Sequence, residues 1–286
     1  MMQTLKIALQ KSGRLSEISL GLIGEAWISL TNGKRTLLAQ SSTFPLEVLY
    51  LRDDDIPQYV ADGVADAGII GEAVLLESQF PLEVVHRLGF SRCRLSIAIP
   101  KEQNYGGLSW LNEKKIATSF QNILKTFLAE NQINAEIHYL NGSVEIAPAI
   151  GMADCIFDIV NSGSTLISNG LMEVEAVMQS EAVLVAAPGL SEGKCAILND
   201  FLFRVKSVLA ARDNKYILLN APNDKLDEIC RVLPGMKSPT VMPLALEGWS
   251  SVHSVLSENE FWRIISQLKE AGAQGILVIP IEKMIL

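Results

Sequence analysis

The sequence predicts an α/β chain in which two similar lobes precede a smaller α+β domain. Three observations carry that expectation. Apolar runs of strand length alternate with helical patterns and glycine-containing turns up to about residue 205, as in sheets flanked by helices. The grammar Gly-x-Ala-Asp occurs twice, at Gly63-Val64-Ala65-Asp66 and Gly151-Met152-Ala153-Asp154, each time between a helix end and a buried strand. Beyond residue 205 the order becomes strand, helix, strand, strand, helix, strand.

Residues 5–9 (LKIAL) read as a buried strand, and an apolar helical pattern runs from Ser16 to about Ala26. The turn between them, QKSGRL, puts Lys11, Gly13 and Arg14 at a helix N-terminus, where free N–H groups and the helix dipole favour anions. A strand from Leu46 to Leu51 ends at Arg52, followed by Asp53-Asp54-Asp55. Asp55 suits the N-cap of a short helix from Pro57 to Asp62; the acid run alternatively invites a metal. Ala67 to Ile70 is a short buried strand ending at Gly71-Glu72. The stretch 86–100 (HRLGFSRCRLSIAIP) is strand-rich, clusters Arg87, Arg92 and Arg94, and crosses from one lobe to the next.

In the second lobe, KKIATSF (114–120) is a strand, NILKTFLAENQI (122–133) an amphipathic helix and AEIHYL (135–140) a strand. NGSVEIAPAIG (141–151) is expected to open a helix leading to Asp154. Ile156 to Val160 form a strand, Asn161 to Thr165 a turn, Leu166 begins a helix, and EAVLVAA (181–187) is the next strand. Two such halves place ligand in the crevice between their strand ends. In the tail, KYILLNAP, PTVMPLAL, WSSVHSVLS and GILVIPIEKM are strands. The helices have apolar residues at Leu226, Ile229, Cys230, Leu233 and at Phe261, Ile264, Ile265, Leu268. This β-α-β-β-α-β order over 212–286 is the ferredoxin-like unit.

Composition narrows the function. A length of 286 residues suggests about two domains, or three small ones. A net charge of −8 argues against a nucleic-acid binder, and no apolar run of membrane-spanning length occurs. The start is too short in apolar residues for a secretion signal, so a cytoplasmic protein is expected. Cys93, Cys155, Cys195 and Cys230 have no CxxC spacing, and His86, His138 and His253 are far apart, so no metal cluster or nucleophilic triad is favoured. Cys93 as a nucleophile is weaker than Cys93 as a packing residue. An acidic chain that binds phosphates must concentrate its cations in one cleft.

DIVNSGSTL (158–166) is the most informative stretch. Gly163 permits close backbone approach, successive N–H groups can form an anion nest, and Ser162, Ser164 and Thr165 carry hydroxyls. Asp158 would repel bare phosphate but suits sugar hydroxyls, directly or through Mg²⁺. The competing reading is an ordinary strand-to-helix turn capped by Ser162 or Ser164.

QKSGRL, RDDDIPQYVADGVADAGIIGE, CRLSIA, LNGSVEIAP, DIVNSGSTL and ILVIPIEKM, in that order, resemble the long form of ATP phosphoribosyltransferase. The resemblance implies two periplasmic-binding-protein-like (type II) lobes and a C-terminal ferredoxin-like (ACT-like) regulatory domain. The lobes would be 1–92, with a return near 184–205, and 93–183. It implies ATP, phosphoribosyl pyrophosphate and Mg²⁺ as ligands, feedback inhibition by histidine, and dimers that associate into hexamers. Asp154, Asp158 and Arg52 would be catalytic, with Asp154 and Asp158 also holding metal. Asp158 and Asn161 to Thr165 would bind the phosphoribosyl group. Lys11, Gly13, Arg14, Arg52, Asp54, Gly71, Glu72, Cys93, Arg94, Asn141, Ser143 and Glu145 would bind nucleotide or pyrophosphate. Met236, Ser238, Thr240 and Gly275 would form the histidine site. The turn departs from the family pattern at Asn161-Ser162, and the poor match over Gly24 to Ser42 leaves Arg35 without a role. A two-lobe ligand sensor or a catalytically dead regulatory paralogue is the alternative. A phosphoribosyltransferase acting on another base is a further rival.

Overall fold

The computed structural model describes residues 3–31 and 37–286; Arg35 lies outside them. Chain contacts divide it into two compact units, residues 1–21 with 28–198, and residues 22–27 with 199–286.

The first unit contains two sheets. β1 (Leu5–Gln10) leads into α1 (Arg14–Glu25); β2 (Leu38–Gln40) and β3 (Leu46–Leu51) follow. Then come α2 (Ile56–Ala61), β4 (Ala67–Gly71), α3 (Glu72–Ser78) and β5 (Glu83–Arg87). β1 is parallel to β3 and β4. The second sheet starts with β6 (Cys93–Pro100), β7 (Lys115–Thr118), α4 (Gln121–Glu130) and β8 (Glu136–Tyr139). It continues with β9 (Cys155–Val160), α5 (Ser164–Ser168) and β10 (Leu171–Ser180), after which β11 (Ala182–Ala186) returns to the first sheet. The strand orders are β2-β3-β1-β4-β11-β5 and β10-β6-β9-β7-β8.

The twofold grammar is structural. Lys6-Ile7-Ala8 in β1 and Lys115-Ile116-Ala117 in β7 are the same triplet, and β3-β1-β4 matches β8-β7-β9 in order and direction. Gly63 and Gly151 both sit at positive φ, +70° and +73°. Asp66 and Asp154 then each accept a backbone N–H, from Lys6 and Lys115, at 2.8 Å in both cases. The repeated aspartate therefore ties the starts of two adjacent strands together. In the first copy it is buried, and Lys194 pairs with it at 2.6 Å.

Several local expectations change. Asp55 makes no capping bond; Asp53 to Asp55 form a 3₁₀ turn with Asp55 already helical. Residues 144–146 form only a 3₁₀ turn where a helix was expected, because Pro148 has no N–H to donate and its ring would clash with the carbonyl four residues back. The strand after the cradle turn is β10, ten residues long and paired with β6; EAVLVAA supplies β11, the strand after it. α6 (Glu192–Arg212) buries Leu198, Phe201, Val205 and Val208 in a helical stripe, but apolar residues off that stripe, such as the exposed Phe203, blur its pattern.

The second unit holds β12 (Asn214–Pro222), α7 (Leu226–Val232), β13 (Thr240–Pro243), β14 (Trp249–Ser257), α8 (Glu258–Glu270) and β15 (Gln274–Pro280). The antiparallel order β13-β14-β12-β15 is the ferredoxin-like arrangement. Ile217, Leu219, Val252 and Leu256 pack against Ile229, Phe261 and Leu268 of the two helices.

Candidate active site

Because β1, β3 and β4 run parallel, their C-terminal ends share one edge. There Gly13, at φ +99°, turns the chain into α1, and its carbonyl accepts the Glu17 N–H at 3.1 Å. Lys11, Arg14 and Arg52 are exposed on this edge, where α1 begins and a helix N-terminus favours anions. Asp53 lies lower. Burial, with Asp54 adding like charge, raises its carboxyl to about 6, and its Oδ1 is buried without a hydrogen-bond partner.

The second sheet repeats the edge. β9 ends at Asn161-Ser162-Gly163, with Gly163 at φ +78° immediately before α5. The hydroxyls of Ser162 and Ser164 lie 3.0 Å apart, and Ser164 N–H reaches Ser162 Oγ at 3.4 Å. Asn161, Ser162, Ser164 and Thr165 are exposed, while Leu166 is buried and anchors the turn from below. Three residues before the turn stands Asp158. Burial raises its carboxyl to about 6; the Ile159 N–H, donated to Oδ1 at 2.8 Å, opposes this, and Glu145 adds to it.

Asp54, Val74 and Glu77 of the first lobe and Ser119, Tyr139 and Asn141 of the second line one cavity of about 190 Å³. Ser119 donates to Leu140 O at 2.6 Å and accepts the Gly142 N–H at 3.4 Å, which fixes the loop carrying Asn141 and Ser143. The first edge offers exposed cations and the second small hydroxyls, groups that suit a ligand with several phosphates.

The profile described as "HisG: ATP phosphoribosyltransferase" matches residues 52–207, and "HisG, C-terminal domain" matches 211–283. The chain belongs to the ATP phosphoribosyltransferase family. A relative of that name from Bacteroides thetaiotaomicron is 60% identical over 99% of this chain and 100% of its own. A solved structure, the ATP phosphoribosyl transferase (HisG:HisZ) complex from Thermotoga maritima, aligns with TM-score 0.61 and 28% identity over 71% of this chain and 99% of that one. Tv2483, solved with L-arginine, aligns at TM-score 0.51 and 12% identity over 72% and 84%, a likeness of fold alone. The two lobes have the type II periplasmic-binding-protein topology. As an ATP phosphoribosyltransferase, the protein transfers phosphoribosyl from 5-phosphoribosyl-1-pyrophosphate to N1 of ATP, the first step of histidine biosynthesis.

Within this ATP phosphoribosyltransferase the expected residues fall into two groups. Lys11, Gly13, Arg14, Arg52, Asp54, Asn141, Ser143, Asp158 and Asn161 to Thr165 lie on the two C-terminal strand edges. Glu145 lies in the 3₁₀ turn that follows Ser143. Others are engaged elsewhere. Asp154 precedes β9, at the opposite end of that strand from the cradle, and holds the Lys115 N–H. Four residue-to-residue steps of about 3.3 Å each separate it from Asp158, so the two cannot share a metal ion. Arg94 is committed to Glu173 of β10, which holds the Glu173 carboxyl below its usual range, and also donates to Asn161 O at 3.2 Å. It braces the cradle turn. Glu72 follows Gly71 and forms a two-pronged pair with Arg87. Burial raises the Cys93 thiol, only partly offset by Ser180, which leaves it protonated and poorly nucleophilic. Glu77, Ser119, Tyr139 and Glu173 enter the site without a sequence expectation; only the hydroxyl pair Thr118-Ser119 at a strand end gave a signal.

Proposed function

We propose that the two strand edges divide the substrates between them. The turn Asn161 to Thr165 holds the 5-phosphate of the phosphoribosyl group, and Asp158 orients the ribose hydroxyls. Lys11, Arg14 and Arg52 take pyrophosphate and triphosphate oxygens, assisted by the N–H groups around Gly13. Asp54, Asn141 and Ser143 line the nucleotide side. The observation that supports this most is that residues beside both strand edges, Asp54 and Val74 of the first lobe and Ser119 and Asn141 of the second, line one cavity.

Adenine N1 attacks ribose C1, and pyrophosphate leaves through an oxocarbenium-like transition state. N1 carries no proton at neutral pH, so positioning and charge stabilisation suffice without a strong base. Among the described residues no group of three or more His, Cys, Asp or Glu could hold a metal ion. That donor set fits Mg²⁺ carried mainly by substrate oxygens and water, with Asp158 and Glu145 supplying carboxylate. When bound, the ion would neutralise charge on the departing pyrophosphate.

Histidine feeds back through the C-terminal domain in this reading, and copies of the chain assemble as dimers and hexamers in the cytoplasm. Among the described residues no helix is long and apolar enough to cross a membrane. Thr240 lies on β13 and Gly275 on β15, the two outer strands of the sheet. With three strand spacings of about 4.8 Å between them, one copy cannot close both around a single amino acid.

The test mixes protein, ATP, phosphoribosyl pyrophosphate and Mg²⁺ and follows pyrophosphate and nucleotide product, with and without histidine. Product should require both substrates and decrease with histidine. Asp158→Ala, with its circular dichroism unchanged, should lose roughly 100-fold or more in turnover. Unchanged turnover removes Asp158 from the mechanism, and ligand binding without any product favours a sensor.

A further inference from the structure

The twofold repeat makes the N-termini of α1 and α4 equivalent, since each follows the central strand of its sheet. They differ in what faces them. The α1 end is open and edged by Lys11 and Arg14. The α4 end is filled by the chain's own carboxylate. Glu77, in α3 of the first lobe, accepts the Asn122 N–H on both oxygens, at 2.9 and 3.0 Å, and the Ile123 N–H on Oε2 at 3.1 Å. Asn122 Nδ2 donates in return to Glu77 O at 2.9 Å.

This is a helix cap supplied from the other lobe, 45 residues earlier in the chain. Four hydrogen bonds, three of them accepted by the Glu77 side chain, join the lobes at one point. Phe120, which precedes α4, makes no side-chain cap of its own. The point of attachment adjoins the cavity that both lobes line: Glu77 and Ser78 form one wall, and Ser119, Phe120 and Gln121 the other.

We propose that Glu77 is a positioning residue for phosphoribosyl transfer: it sets the separation of the two strand edges, and so the reach from adenine N1 to ribose C1. This rests on the division of substrates between lobes given above. The main anchors of the two substrates, the 5-phosphate cradle and the triphosphate cations, lie on different lobes, so a change in lobe spacing disturbs the ternary complex more than either binary one. A displacement of about 1 Å between reacting groups can cost roughly 100-fold in rate.

The experiment compares full-length wild type, Glu77→Ala and Glu77→Gln. Measured quantities are kcat, calorimetric affinity for phosphoribosyl pyrophosphate alone, calorimetric affinity for ATP alone, and circular dichroism. Glu77→Ala should lose roughly 10- to 100-fold in kcat, with each single-substrate affinity within about twofold of wild type. Glu77→Gln keeps an acceptor oxygen at the same reach and should recover most of the rate. Unchanged kcat in the alanine variant overturns the proposal. So does a loss that appears equally in single-substrate affinity, or one that glutamine fails to recover, because either marks a merely structural cap. An error in the substrate division shows separately, as phosphoribosyl pyrophosphate affinity that survives Ser164→Ala with Thr165→Ala.

Discussion

Asp158 carries a stability cost that is legible in its surroundings. Its folded carboxyl sits at about 6 because of burial, against about 3.9 in an unfolded chain. An acid raised on folding favours the folded state while protonated. That contribution is complete below about pH 4 and is lost as pH rises through 6. Two units correspond to about 3 kcal/mol, an order-of-magnitude figure. Asp158→Asn should therefore be more stable than wild type at pH 7.5, by about 2 kcal/mol in urea unfolding, and no more stable at pH 4, while losing turnover. Equal stability at both pH values would show that the carboxylate is not strained. The residue belongs with groups held in an unfavourable state because a ligand relieves it. Among candidate site residues, the cradle turn stands out in sequence because glycine beside small hydroxyls suits an anion nest, though the same residues also suit an ordinary helix cap. The bracing role of Arg94 does not, because its partner Glu173 lies 79 residues away on a strand with no clear alternation. A repeated acid at a strand start, such as Asp154, resembles a ligand in sequence, while the structure shows it holding the Lys115 N–H.

At the level of elements, the lobes depend on short helices packed closely on parallel strands. α2 lies on β4 at Gly68, where an added Cβ would come within 2.7 Å of Ile56 Cγ2 and 3.2 Å of Val60 Cγ2. Ile56 and Val60 are fully buried and β-branched, so neither can rotate aside easily. Gly68→Ala should cost about 1–3 kcal/mol in urea unfolding, with affinity for phosphoribosyl pyrophosphate retained if the second lobe keeps its shape. A neutral result would mean that α2 shifts freely over the sheet. Strand positions such as β3 and β12 are readable because short apolar runs there are bounded by turn residues. The segment after Ser143 is not, because helix-favouring residues there are overruled by Pro148. β10 was missed for another reason. Its residues Met172 to Glu175 are all only partly buried, so no alternation marks it, and pairing with β6 decides its conformation.

For the whole molecule, the tail's β-α-β-β-α-β order was readable from two amphipathic helices and the strands around them, but not how its parts meet a ligand. Strand order places β13 and β15 at opposite edges, so a histidine site using Thr240 and Gly275 requires the β13 edge of one copy and the β15 edge of another. Binding energy is then available only to the assembled state, and histidine would act by favouring that state over others. This predicts complementation. Thr240→Lys blocks one edge. Gly275→Asn blocks the other while tolerating the positive φ of +56° at that position. Each variant alone should retain transferase activity and lose histidine inhibition. Mixed and reassembled, the two should regain part of the inhibition, because some interfaces then join an intact β13 edge to an intact β15 edge. If both residues served one copy's site, every copy in the mixture would remain defective and inhibition would stay absent. Activity against histidine concentration, measured before and after mixing, separates the two arrangements.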